Sequence, residues 1–115
     1  MFNGATTYAG GATLKCVSGG VDPKSRYTLS TGIFLVPYAC YVKIFVSLTT
    51  GTGANAAQPV IYKNAGQVST TLCWIVNGSV GSGVHVEKYV AGDQLTIRVL
   101  QACQISLGNC TFEIL

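Results

Sequence analysis

The chain has 115 residues, of which 49% are hydrophobic and only 10% charged, with a net charge of +3. Folded domains usually carry about 25% charged residues, so a surface this poor in ions suits an assembly that hides part of it. The alternative is a monomer coated with neutral Ser, Thr, Asn and Gln. The basic residues Lys15, Lys24, Arg26, Lys43, Lys63, Lys88 and Arg98 stand singly. They form no stripe interleaved with aromatics, which excludes a nucleic-acid binder.

By length this is one domain. Met1–Gly11, rich in Gly, Ala and Thr, reads as a flexible N-terminal arm, and residues 12–115 as a single folded domain. Ala12–Val17 reads as a strand ended by Ser18-Gly19-Gly20. Asp22-Pro23 reads as a turn, and Tyr27–Ser30 leads into the longest apolar run, within Thr31–Thr49. That run, Ile33 to Leu48, is too short to cross ~30 Å of hydrocarbon and carries Pro37 and Lys43 near its middle. Its β-branched and aromatic residues predict two strands meeting at Pro37–Cys40.

Thr49–Gln58, small and polar, reads as a loop. Val60–Lys63 reads as a short strand closed by Asn64-Ala65-Gly66. In Val68–Val76, Val68, Thr70, Leu72, Trp74 and Val76 alternate with Ser69, Thr71, Cys73 and Ile75. Asn77-Gly78 is a tight-turn signal, and Gly-rich Ser79–Gly83 sets the start of the return strand near Val84. There Val84, Val86 and Val90 alternate with His85, Glu87 and Tyr89. Ala91-Gly92-Asp93 turns the chain into an alternating strand with Leu95, Ile97 and Val99. Gln101–Asn109 reads as a connection to a last strand, Cys110–Leu115. About eight strands and no capped helical stripe predict an all-β, antiparallel sandwich or barrel.

Chemistry has little to stand on. The acids Asp22, Glu87, Asp93 and Glu113 are isolated in sequence, and His85 is the one histidine. Glu87 falls two residues from His85, on the same face of a strand, with Lys88 beside them. There is no G-x-S-x-G elbow, no phosphate loop after Gly81-Ser82-Gly83 and no calcium loop. The five cysteines Cys16, Cys40, Cys73, Cys103 and Cys110 contain no C-x-x-C pair, which argues against zinc. Cys103 and Cys110 could face each other across a short connection and form a disulfide. Free, buried thiols are the preferred reading. No enzyme, cofactor or metal is expected.

Two segments resemble the trimeric jelly roll shared by tumour necrosis factor and the globular heads of complement's first component. In Tyr27–Thr49 the likeness is carried by Gly32 and Phe34, by Val36-Pro37 and by the alternating strand after them. In Val86–Leu100 it is carried by Val90-Ala91-Gly92-Asp93-Gln94-Leu95, and a final strand containing Phe112 is also similar. Cys40 and Val42 stand where the family usually has glycine and tyrosine. The resemblance implies a tumour-necrosis-factor-like jelly roll and a homotrimer. Candidates for its interface are Tyr38, Tyr41, Phe45, Trp74 and Phe112, with core packing as the alternative for each.

The expected function is structural: a homotrimeric decoration (cement) protein on the outside of a bacteriophage capsid. It would partner with itself and the major capsid protein, with no nucleic acid or membrane. MFNGATTYAGGATLKC lacks the pattern of a secretory signal, so synthesis in the host cytoplasm and residence in the virion are expected. The alternative is a trimeric recognition head that binds a receptor or glycan through Thr49–Gln58 and Asn77–Gly83.

Overall fold

The computed structural model describes residues 2–14, 27–28, 31–50, 57–64, 66–71 and 80–115, without the side chains of 2–7, 67–71 and 106–108. The described strands are β1 (Phe2–Tyr8), β2 (Tyr27–Thr28), β3 (Ile33–Leu35), β4 (Cys40–Thr50) and β5 (Pro59–Lys63). They continue with β6 (Gly66–Thr71), β7 (Val80–Tyr89), β8 (Gln94–Val99) and β9 (Cys103–Ile114). Two antiparallel sheets result, with strand orders β1-β9-β4-β7 and β2-β3-β8-β5-β6. Apart from the consecutive pairs β2-β3 and β5-β6, neighbours in each sheet are distant in sequence, as in a jelly roll, because sandwiches connect strands across their two layers.

β4 is the centre of the first sheet. Its inward row, Val42, Ile44, Val46 and Leu48, is fully buried. The second sheet answers with Phe34, Ile61, Leu95, Ile97 and Val99. Period-2 alternation puts these residues on facing inner surfaces and leaves the intervening ones outside. Pro37 lies outside the ladders, between β3 and β4, where its missing N–H costs no strand bond.

Several expectations need correction. Phe2–Tyr8, read as an arm, is a strand on β9, with Tyr8 opposite Cys103. Small residues such as Gly4, Ala5 and Thr6 gave no apolar alternation, yet a backbone ladder does not require one. Thr49 and Thr50 belong to β4, because they continue its ladder with β9. β7 begins at Val80 instead of near Val84, and its register with β4 runs unbroken from Cys40↔Tyr89 to Thr49↔Val80. Its two interior glycines, Gly81 and Gly83, are supported by the neighbouring strand.

The expected connection Gln101–Asn109 is mostly strand. β9 runs through it, pairing with β1 along one side and β4 along the other. Cys103 and Cys110 therefore sit seven positions apart on one strand, not across a turn, and Cys103 is a free buried thiol. Cys110 is disulfide-bonded whereas Cys103 is free, so the Cys103–Cys110 bridge is excluded. Its being bridged also departs from the reading that all the thiols are free. Of the expected Ala12–Val17 strand, Thr13 forms an isolated bridge with Arg98, and 15–17 lie outside the described residues. So do 72–79, with Trp74 and the Asn77-Gly78 turn.

Candidate functional site: the outer face of the four-stranded sheet

Residues directly opposite on neighbouring strands share a face. Across the outer surface of the first sheet, Phe45 lies between Val84 on β7 and Thr111 on β9, and Lys43 between Val86 and Glu113. Tyr41 faces Lys88, and Thr49 faces Val80. Tyr41 is 53% exposed, Val84 55%, Val86 48% and Val80 72%, with Phe45 half-buried. The edge strand thus turns its valines to solvent and Tyr89 to the core, against the usual sense of burial.

A second exposed apolar group lies at one end of the sandwich. It contains Leu35, Tyr38 and Val90. Its backbone is clamped: the Gly92 N–H donates to the Val36 carbonyl at 2.9 Å, and the Val36 N–H donates to that of Asp93 at 2.9 Å. Gly92 takes φ 91°, open to a residue without Cβ. Asp93, nearly buried, accepts the Val90 N–H at 3.0 Å and the Asn64 Nδ2 at 3.2 Å. Asn64 in turn accepts the Gln94 N–H at 2.9 Å. The Gly-Asp turn is a structural staple joining three loops.

Of the sequence-derived interface residues, Tyr41 and Phe45 share the outer face, and Tyr38 is exposed at the clamped end. Phe112 is corrected: it is 3% exposed and stacks with both Phe34 and Tyr27, so it offers no surface to another subunit. Trp74 lies outside the described residues. The exposure of Val80, Val84 and Val86 was missed. Alternation reveals two faces of a strand but not which one looks inward.

His85 and Glu87 pair at 2.8 Å on the inward side of edge strand β7, and both remain partly exposed. Arg98 lies over the Tyr62 ring at 4.4 Å, on the outer side of the second sheet. Among the described residues no three of His, Cys, Asp and Glu gather in a metal-binding group.

This architecture is an antiparallel jelly roll of the type seen in complement heads and tumour-necrosis-factor-like ligands. The globular domain of zebrafish complement 1qA protein is similar to it, with TM-score 0.54, 16% identity and coverage of 93% of each chain. Rabbit GITRL is similar at TM-score 0.52 and 14% identity, over 81% of this chain and 80% of that one. No protein-family model matches the chain, and no curated protein matches it in sequence.

Proposed function

We propose that the chain is a structural, self-associating jelly roll whose outer β4–β7 face is covered by further copies in a homotrimer. The observation that carries this reading is the exposed apolar group Tyr41, Phe45, Val84 and Val86, interrupted by Lys43 and Lys88, on a regular sheet face. Grouped apolar exposure of this kind marks contact surfaces. A threefold ring uses two different patches per subunit. The clamped end with Leu35, Tyr38 and Val90 supplies a second one. With 10% charged residues, a lone subunit would have few ions to oppose association through these patches.

Within this reading the chain decorates the outside of a bacteriophage capsid and cements its shell subunits. Such shells present threefold positions that a trimer matches by symmetry. Particle mass measurement is the test of that role: hundreds of copies per shell are expected, and a handful at fibre tips would favour a recognition head. Tyr41→Asp and Phe45→Asp test the assembly itself. Light scattering should read a trimer for the parent chain and monomer or aggregate for both variants. Unchanged trimers would remove this face from the interface.

A further inference from the structure

We infer that β1 is an exchangeable strand, which in the assembly lies on β9 of a neighbouring copy. Three observations carry this. First, β1 is an edge strand bonded to β9 and to no other described strand. A β9 contributed by a second copy would offer it the same ladder. Second, that ladder is irregular: its register shifts between Asn3 and Thr6 before settling into Thr6↔Ile105, Thr7↔Gln104 and Tyr8↔Cys103.

Third, the connection that closes β1 on its own chain is short and crosses between the sheets. β1 ends at Tyr8 in the first sheet, and Thr13 already bridges to Arg98 in the second, where Leu14 N–H donates to the Ile97 carbonyl at 2.8 Å. Packed sheets stand about 10 Å apart. The chain makes this passage through a tight turn, with Ala12 N–H on the Ala9 carbonyl at 3.1 Å and Gly11 at φ 85°. A Cβ on Gly10 would stand 3.2 Å from the Leu100 carbonyl oxygen, so the crossing has little slack. Short, taut hinges favour exchange of the element they hold, because the hinge straightens while the ladder is remade in the partner.

In a ring of three, each copy would pass β1 to the next, and the exchange would close without loose strands. The inference rests on the self-association argued above, and the test separates the two.

A chain carrying Tyr8→Cys and Cys103→Ser is unfolded and refolded together with the parent chain, which keeps Cys103. It is then oxidised and run on a non-reducing gel, and light scattering is recorded on the same sample. Exchange is expected to give a covalent two-chain product that disappears when the second chain also carries Cys103→Ser. A mixture of Thr7→Cys and Gln104→Cys chains repeats the test at the adjacent pair, should the Tyr8 variant fold poorly. An assembly by light scattering with no two-chain product in either mixture overturns strand exchange while leaving self-association standing. A monomer by light scattering overturns both.

Discussion

Phe34 and Phe112 lie ring on ring, with centroids 5.1 Å apart and planes within 5° of parallel, one from each sheet of the sandwich. Tyr27, the cross-strand neighbour of Phe34, also stacks on Phe112, with centroids 5.4 Å apart. The contact joins a strand from the first half of the chain to the last one, so it ties the layers together across a long sequence separation. Phe112→Ala removes the ring that both Phe34 and Tyr27 stack on. It is expected to cost about 3–5 kcal/mol, the usual range for a buried Phe truncated to Ala, read as a lowered midpoint in urea. A loss below about 1 kcal/mol would mean that the ring is not the centre of this packing.

The Asp93 staple is expected to respond to single substitutions. Asp93→Ala leaves the Val90 N–H and the Asn64 amide without their acceptor, at a cost of about 1–3 kcal/mol. Asn64 occupies φ 52°, so Asn64→Gly should be milder than Asn64→Ala at the backbone level. Thermal denaturation of the three variants gives the order. Equal losses for Gly and Ala at position 64 would show that the side-chain bonds, not the left-handed backbone, dominate.

Burial raises the Tyr89 phenol well above the ordinary tyrosine value, with Glu87 and Asp93 adding to the effect. Its hydroxyl has no hydrogen-bond partner among the described residues. A phenol that resists ionising when folded contributes stability fully below pH ~10, the unfolded value. That contribution declines as pH climbs past it, since the unfolded chain then loses the proton first. Tyr89→Phe is expected to flatten this alkaline decline in stability and to leave the neutral-pH value little changed. An identical decline in the variant would assign it to other groups.

The cysteines divide by environment. Cys103 is buried, and burial pushes its thiol above the usual range, so it should react slowly with iodoacetamide until the chain unfolds. Cys40 is also free and buried. Cys110 is bridged, and reduction is expected to lower stability by about 2–5 kcal/mol. Peptide mapping without reductant checks both points. Alkylation of native Cys103 at the rate of a model thiol would contradict its burial.

By itself, the sequence determined the all-β class, the two strands flanking Pro37 and the Gly-Asp turn. Each rests on local chemistry: alternation, a fixed proline φ, and a glycine beside a carboxylate that bonds nearby amides. Tertiary structure alone decided three further matters. Phe2–Tyr8 became a strand because β9 offered a free edge, which no property of FNGATTY announces. Val84 and Val86 turned outward while Tyr89 turned inward, because register with β4, and not hydrophobicity, chooses the inward face. Cys103 and Cys110 fell on a single strand because β9 spans what composition reads as a connection. Alternation is a local property, whereas the facing of a strand depends on a partner many residues away.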